Sequence, residues 1–375
     1  MIQIISIILS ILLFLYGISV LVPGFVFAFA KKKLATNFLP KTFVSILVPV
    51  RNEENTILEC LTSLSMQDYP SEKFEIILIN DHSTDKTKII AEQFAKDFSQ
   101  LKVIDCPLDS IGKKSALTLG VNAAIGELIA TTDGDCIIPA KWLKKIVEVY
   151  EDEHAIFIAG PVAYKKGNGI MRSLFQIEQI VLQIISAGAM KMGLPLMCSG
   201  ANLAYKKDFF FESGGYENDG FASGDDMHLM LKAQKNYPSK LKFIYDQEAI
   251  VLTSPARSFS EAIQQRSRWI SKFSTYKTIW ITGTGIVVFL SNFSIVFLGL
   301  ISLWKHEFSE PFIWAFGLKM LIDLLLLSLA VPFFQEPRLL LFSILEELFY
   351  PFLAIIAATA RLFGSFRWKG RDWKT

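Results

Sequence analysis

Asp133 and Asp135 are separated by Gly134 and follow a run of apolar residues in this 375-residue chain. Two carboxylates one residue apart can face a single site, and glycine lets the backbone turn tightly between them. Hard divalent cations prefer carboxylate oxygens together with substrate phosphates. The pair therefore predicts a site for Mg²⁺ or Mn²⁺, although an isolated Asp-Gly-Asp sequence more often forms a plain turn.

Further acidic and basic residues stand where an apolar run ends or a glycine precedes them. Asp81 ends an apolar run, where its carboxylate can accept hydrogen bonds from a nucleobase or help to cap a helix. Lys113 follows a glycine and either meets a diphosphate or begins a solvated helix. Asp225 and Asp226 follow Gly224, and a carboxylate in such a loop can take the proton of an attacking hydroxyl or cap a helix.

Residues 265–269 form a short segment that contains two arginines. Gln265, Arg268 and Trp269 are spaced i, i+3, i+4 and share one helical face. Arginine suits a diphosphate, and tryptophan offers a flat apolar surface to a sugar or an acceptor. The alternative is the ordinary Arg/Trp anchor of a helix at a membrane surface.

The elements that position these side chains lie within residues 43–255, where short apolar runs alternate with amphipathic segments. This alternation predicts an α/β domain whose mostly parallel sheet is covered on both faces. Ligands collect at the carboxyl ends of such strands, where the polar segments 49–54, 80–85 and 133–135 follow apolar runs. The predicted strands are Phe43–Val50, Glu75–Asp81, Lys102–Asp105, Glu127–Asp133 and Ala155–Val162.

Both ends of the chain are apolar. Residues 1–30 precede three lysines, which favours an uncleaved transmembrane anchor over a signal peptide and places the domain at 43–255 in the cytoplasm. Residues 258–273 predict an amphipathic helix at the interface, and about three transmembrane segments are expected within 280–364. We expect an integral protein of the plasma (inner) membrane.

The orientation of the basic tail, residues 365–375, leaves two alternatives open. Three full C-terminal spans would place this tail outside, against the positive-inside rule. Either the last apolar stretch, which Glu346, Glu347 and Pro351 interrupt, is re-entrant or interfacial, or the rule fails here. Within the preceding stretch, Lys319 and Asp323 stand four residues apart and can neutralise each other.

Charge argues against nucleic acid as a partner, and cysteine spacing argues against a redox or zinc role. The formal net charge of +2 is near zero and no long basic stripe is present, so nucleic acid is not an expected partner. The four cysteines form no CxxC pair, so they are expected to be reduced thiols packed inside the protein.

Taken together, these segments resemble the family 2 glycosyltransferases, which are inverting enzymes on a Rossmann-like GT-A fold. The resemblance implies that Pro49, Arg51, Glu53 and Asp81 hold the nucleoside of a donor and that Asp226 is the base. It further implies a set of residues around the metal, the diphosphate and the acceptor: Lys113, Asp133, Asp135, Asp225, Gln265, Arg268 and Trp269. The matching segments, in chain order, are 45–54, 80–85, 112–117, 132–135, 199–202, 224–226 and 265–269.

The resemblance implies metal-dependent transfer of a sugar from a UDP- or GDP-linked donor. The apolar ends of the chain resemble the branch that glycosylates membrane lipids, so a lipid acceptor is expected. A processive polysaccharide synthase shares every motif and is the enzymatic alternative. A nucleotide-sugar-binding scaffold without turnover is the non-enzymatic one. The sequence leaves the sugar, the nucleotide, the lipid and the oligomeric state open.

Overall fold

The computed structural model describes residues 2–30, 38–216, 224–273, 278–360, 366–368 and 371–373. The chain forms two compact units. The α/β unit comprises Ala30–Lys165 and Met197–Ser254, and the helical unit comprises Met1–Phe29, Lys166–Leu196 and Pro255–Thr375.

The α/β unit is built on a seven-stranded sheet with strand order β3-β2-β1-β4-β7-β5-β8. β7 is antiparallel to β4 and β5, and the other neighbouring strands pair in parallel. The predicted mostly parallel α/β sheet is therefore confirmed. The strands are β1 (Val44–Val50), β2 (Phe74–Asn80), β3 (Leu101–Asp105), β4 (Leu128–Thr131), β5 (Phe157–Ala159), β6 (Val162–Tyr164), β7 (Leu203–Lys206), β8 (Leu241–Phe243) and β9 (Val251–Thr253).

Helices cover the sheet because each carries an apolar face. In the first helix of the unit, Ile57, Leu61 and Leu64 are fully buried, as their i, i+4, i+7 spacing predicts. The helices of this unit are α2 (Ile57–Ser65), α3 (Thr87–Asp97), α4 (Lys113–Ala123), α5 (Trp142–Glu153), α7 (Lys207–Glu212) and α8 (Asp225–Asn236). Short 3₁₀ turns occupy Ser71–Lys73, Pro238–Lys240 and Gln247–Ala249.

The predicted strand Ala155–Val162 was wrong in its extent, because it divides into β5 and β6. Between them the Gly160 N–H donates to the Asn202 carbonyl at 2.9 Å. Pro161 has no N–H to continue a ladder. Beyond this break β6 leaves the main sheet and pairs in parallel with β9.

Asn202 fixes this break in the sheet. Its side chain is fully buried, and its Nδ2 donates to the carbonyls of Pro161 and Ala249 at 2.8 Å each. Its Oδ1 accepts from Trp142 Nε1 at 2.8 Å. One side chain therefore satisfies polar groups from three separate segments.

Replacing this side chain, Asn202→Ala, should destabilise the α/β unit by about 2–4 kcal/mol, because it leaves buried donors and acceptors without partners. The measurement is the thermal unfolding midpoint in detergent. The exposed residue Asn236 supplies the control Asn236→Ala, which should melt like the unaltered protein. Equal midpoints for the two variants would contradict the assignment of Asn202 as the structural hub.

The helical unit contains the long apolar helices. Among the described residues, five segments are long and apolar enough to cross a membrane by length and composition: Ile2–Ala28, Ile170–Lys191, Ile279–Ser302, His306–Phe334 and Pro337–Thr359. The helices of this unit are α1 (Ile2–Ala28), α6 (Ile170–Lys191), α9 (Phe259–Phe273), α10 (Ile279–Ser302), α11 (Ser309–Phe334) and α12 (Ser343–Ala360). 3₁₀ turns occupy His306–Phe308 and Pro337–Phe342, and β10 (Phe366–Trp368) pairs with β11 (Arg371–Trp373).

α6 interrupts the domain that we expected to run continuously over residues 43–255. Residues Lys166–Leu196 group with the apolar helices and not with the sheet. The sequence did not lead us to expect this long apolar helix, because the polar residues Gln176, Glu178 and Gln183 lower its hydropathy. Gln176 and Glu178 are buried all the same.

α9 and α12 run side by side in the same direction. The rings of Phe259 and Phe349 lie 6.0 Å apart, and eight residues further along both helices Ser267 Oγ donates to the Ala357 carbonyl at 2.9 Å. The last apolar stretch, which forms α12, therefore packs against the amphipathic helix predicted at 258–273.

Candidate active site

The loops that follow β1 and β2 are tied together by Arg51. Its Nη1 donates to the carbonyls of Asp81 at 2.9 Å and His82 at 3.2 Å. Asn52 Oδ1 accepts from the Thr84 N–H at 2.8 Å. Asn52 and His82 have φ values of 55° and 56°, a left-handed conformation that few residues other than glycine adopt. The interlocking contacts hold both turns in this conformation.

Asp81 lies at the carboxyl end of β2 and is 4% exposed. His82 Nδ1 lies 3.0 Å from Asp81 Oδ1, and the Asp81 N–H donates to the Val50 carbonyl at 2.8 Å. Pro49 is half-buried within β1. Glu53 Oε2 accepts from Thr56 Oγ1 at 2.9 Å. The residues expected to hold a nucleoside therefore lie at the adjacent carboxyl ends of β1 and β2.

The Asp133–Asp135 loop follows β4 and approaches the end of β1. A Cβ added at Gly134 would lie 2.7 Å from Val50 Cγ1, so only glycine allows this approach. Lys113, at the start of α4, places its Nζ 2.5 Å from Asp133 Oδ1. Thr253 Oγ1 donates to Asp135 Oδ2 at 3.3 Å. The two carboxylates are thus held separately, one by an ammonium and one by a hydroxyl.

The chemistry of this loop fits a divalent cation that binds together with a phosphate ligand. Asp133 and Asp135 are both partly exposed, which leaves room for such a ligand. The part of the chain that the structure describes contains no cluster of three or more His, Cys, Asp or Glu side chains able to hold a metal. Mg²⁺ and Mn²⁺ often use only one or two carboxylates and complete their coordination with substrate phosphates and water.

The two cysteines near the loop do not compete with these carboxylates. Burial, reinforced by the nearby Asp135 and Asp133, raises the pKa of the Cys60 thiol far above its usual range. The same causes raise the pKa of Cys136. Both thiols stay protonated at neutral pH, and a protonated thiol is a poor metal ligand. The cysteines are free, as expected.

Asp226 is connected to the end of β4 through a single residue. Its Oδ2 accepts from the Gly200 N–H at 3.1 Å and its Oδ1 from the Met227 N–H at 2.8 Å. The Gly200 carbonyl in turn accepts from Thr131 Oγ1 at 2.9 Å. Thr131 stands two residues before Asp133. The structure therefore links the predicted base to β4, the strand that leads into the acidic pair. The side chain of Asp225 lies outside the described residues.

Gln265, Arg268 and Trp269 lie on α9, in the helical unit. Gln265 Oε1 is buried and has no hydrogen-bond partner among the described residues. Arg266 is buried, although it was not among the predicted site residues. Its Nε donates to both carboxylate oxygens of Glu178 at 2.9 Å. Glu178 lies 88 residues away along the chain, so sequence spacing contained no signal for this pair.

Several of the positioning residues were not predicted. Thr253 and Gly200 hydrogen-bond to Asp135 and Asp226, and Thr131 is linked to Asp226 only through Gly200. Gly200 lies within the matching segment 199–202, which was the only sequence signal that pointed to any of them.

Comparison with known proteins adds an independent result. Residues 45–212 match the family model described as Glycosyl transferase family 2. Glycosyltransferase AglE from Haloferax volcanii is 28% identical over 237 residues, which cover 62% of this chain and 73% of that protein. A beta-monoglucosyldiacylglycerol synthase from Nostoc sp. is 35% identical over 129 residues, which cover 34% of this chain and only 28% of the synthase.

A solved structure supports the same fold. The mannosyltransferase PcManGT from Pyrobaculum calidifontis, in complex with GDP-Man and Mn²⁺, aligns with a TM-score of 0.62 at 18% sequence identity. The alignment covers 97% of this chain and 99% of that one. The matched domain contains β1 to β4 together with the Asp133–Asp135 loop. The chain therefore has the GT-A fold, and its residues 45–212 resemble glycosyltransferase family 2.

Proposed function

We propose that this enzyme transfers one sugar, with inversion, from a UDP- or GDP-linked donor to a hydroxyl group of a membrane lipid. The observation that carries the proposal is the hydrogen-bonded path from Thr131 through Gly200 to Asp226. It couples a candidate base to β4, the strand after which Asp133 and Asp135 follow. The similarity to a synthase named for monoglucosyldiacylglycerol supports a lipid acceptor.

The donor would bind at the carboxyl ends of β1, β2 and β4. Pro49, Arg51, Glu53 and Asp81 would hold the nucleoside, and Lys113 would contact the diphosphate. Asp133 and Asp135 would hold Mg²⁺ or Mn²⁺ together with the donor phosphates. When bound there, such a cation would stabilise the negative charge of the departing diphosphate, so no protein acid would be needed at that end.

Asp226 would act on the acceptor. The lipid hydroxyl attacks the anomeric carbon of the sugar from the face opposite the diphosphate. The new carbon–oxygen bond forms as the bond to the diphosphate breaks, and the hydroxyl proton passes to the Asp226 carboxylate. A single displacement of this kind inverts the anomeric configuration. Asp225, Gln265, Arg268 and Trp269 stay predictions for binding the diphosphate and the acceptor, and they rest on the motifs.

We further infer that α1, α10 and α11 cross the membrane, whereas α6, α9 and α12 lie at its surface. Short segments join both ends of α6 to the α/β unit, so α6 cannot place its ends on opposite sides. α12 packs alongside the amphipathic α9. We therefore expect both helices to lie at the membrane surface. The basic tail then shares a side with Lys31–Lys33 and the catalytic unit, which satisfies the positive-inside rule. We propose that the catalytic unit lies in the cytoplasm and that the membrane is the plasma (inner) membrane.

The variant Lys113→Met tests the donor site. It removes the ammonium that lies against Asp133, and we expect the donor KM to rise about tenfold or more because a charged contact with the diphosphate is lost. The measurement is donor saturation at fixed acceptor. Lys102, exposed on the edge strand β3, supplies the control Lys102→Met, which should leave the KM unchanged. If both variants keep the original KM, Lys113 does not bind the donor.

The proposed function itself is tested by a screen of UDP- and GDP-sugars against total membrane lipid. We expect one donor to label material that extracts into organic solvent, and we expect EDTA to stop the labelling. Polymeric product that resists extraction would instead identify a processive polysaccharide synthase. Absence of transfer with every donor, in protein that still binds nucleotide sugar, would support the scaffold alternative.

A further inference from the structure

An open groove of about 490 Å³ lies in the helical unit between two short segments. We call it the basic groove. Its walls are the segment that leads into α6 and the turn that follows α11, residues 166–168 and 335–338. The volume falls within the roughly 300–1,000 Å³ of small-molecule sites. The basic groove is therefore large enough for a ligand of several atoms.

Three cations surround this groove. Lys166 and Arg338 line it and are exposed, and Arg172 lies in the first turn of α6. A Cβ added at Gly167 would collide with the Arg172 guanidinium, so that guanidinium lies directly against the wall of the groove. Among the described residues that line the groove, Glu336 is the one carboxylate. The groove therefore carries net positive charge.

The protein itself neutralises this charge only in part. Glu336 Oε2 accepts from Arg338 Nε at 3.0 Å, which leaves both Nη groups of Arg338 without a hydrogen-bond partner among the described residues. Lys166 and Arg172 form no ion pair within the described ranges. Burial and the nearby Arg338 guanidinium lower the pKa of Arg172, with Glu336 acting in the opposite sense. An anion bound beside the two guanidinium groups would be attracted to both and would relieve their repulsion.

The donor groups match a phosphate ester. A guanidinium binds phosphate oxygens through paired N–H donors, and an ammonium adds a point charge. The first turn of α6 contains no acidic side chain that would repel such a ligand. Three cations exceed what a single carboxylate can satisfy, whereas a phosphate ester offers several oxygens to them.

The position of the basic groove favours a lipid as the source of the phosphate. Gln335 directly follows Phe334, the last residue of α11, which we inferred to cross the membrane. Apolar surface next to cations is typical of a protein that meets lipid headgroups and the acyl chains beneath them. Four exposed apolar side chains stand close in the chain to the two walls: Ile170, Met171, Leu341 and Ile344.

We propose that the basic groove binds the phosphate headgroup of an anionic membrane phospholipid, which is neither the donor nor the acceptor of the transfer reaction. The proposal rests on the proposed function only for the inference that α11 spans the membrane. A zwitterionic lipid would bind more weakly, because its own cation meets the three cations of the groove.

The test uses the full chain in phosphatidylcholine nanodiscs without a sugar donor. Two photoreactive lipids are added in trace amounts, phosphatidylglycerol and phosphatidylcholine, each with a diazirine near the glycerol. Mass spectrometry identifies the labelled peptides. We expect phosphatidylglycerol to label peptides from 166–172 and 335–344 about fivefold or more above phosphatidylcholine, and we expect high salt to reduce the difference.

Three variants locate the binding. Arg172→Gln should lower phosphatidylglycerol labelling about fivefold, and Lys166→Gln, at an exposed position where the fold is not at risk, about twofold. Arg257, exposed ahead of α9, supplies the matched control Arg257→Gln, which should label like the unaltered protein. Unchanged melting temperatures show that the variants are folded.

Equal labelling by the two lipids would overturn the proposal. An equal loss in Arg172→Gln and Arg257→Gln would also overturn it, because general attraction to membrane charge would then explain the labelling. Loss of labelling when inorganic phosphate is added at the concentration of the probe lipid would identify a soluble anion as the ligand and contradict the assignment to a lipid. Sugar transfer is scored separately with the same proteins, so failure of the basic groove and failure of the proposed function are distinguishable.

Discussion

Asp226→Asn is expected to lower kcat by about 10²–10⁴-fold, the usual contribution of a general base. The amide keeps nearly the same shape and can still accept a hydrogen bond from the N–H of Gly200 or Met227, which the carboxylate now holds at 3.1 and 2.8 Å. It cannot take a proton from the attacking hydroxyl. Donor affinity should stay within about twofold, because the base acts on the acceptor and not on the nucleotide.

The measurement pairs initial rates with direct titration of the donor. Asp152, exposed in α5, supplies the control Asp152→Asn, which changes the net charge by the same amount and should keep full activity. An Asp226→Asn enzyme with unimpaired kcat would remove Asp226 from the role of base. A parallel loss of donor binding would show that the residue supports the donor site instead.

Asp135→Asn should lower kcat/KM by about 10²-fold or more and remove the response to Mn²⁺, because one of two predicted metal-binding carboxylates is lost. Asp133→Asn should also reduce activity, but it additionally frees Lys113, whose Nζ now lies 2.5 Å from Asp133 Oδ1. Comparison of the two variants therefore separates loss of a metal ligand from release of the lysine.

Calorimetric titration of Mn²⁺ in the presence of the nucleoside diphosphate measures the affinity of the site for the metal. We expect tight binding to the unaltered protein and at least tenfold weaker binding to Asp135→Asn. The variant should melt at the original temperature, since Thr253 Oγ1 can still hydrogen-bond to an amide at this position. Undiminished Mn²⁺ binding would contradict the assignment of Asp135 as a ligand.

The first half of the sheet was predictable because its strands are apolar on both faces. β1, β2 and β4 lie between helical layers, so their sequences contain unbroken apolar runs, and the residues that follow them meet at one edge. This rule located Asp81, Asp133 and Asp135 from the sequence. β7 and β8, of four and three residues, were not predicted from the sequence.

Contacts between segments that are distant in the chain could not be predicted from the sequence. The pair formed by Lys319 and Asp323 was expected from their spacing, and the structure confirms it. Glu347, the second partner of Lys319, lies 28 residues away and could not be inferred. The path from Thr131 through Gly200 to Asp226 is of the same kind, because it spans three segments joined only in the folded protein.

Mass spectrometry of the lipid product shows whether the enzyme adds one sugar to a membrane lipid. After incubation with the donor identified by the screen, membrane lipid and Mn²⁺, we expect a lipid heavier by one sugar residue. That product should be absent when EDTA is added or when Asp226→Asn replaces the unaltered enzyme. An insoluble polymer would exclude the transfer of one sugar to a lipid, and an equal yield of the lipid product from Asp226→Asn would exclude Asp226 as the base.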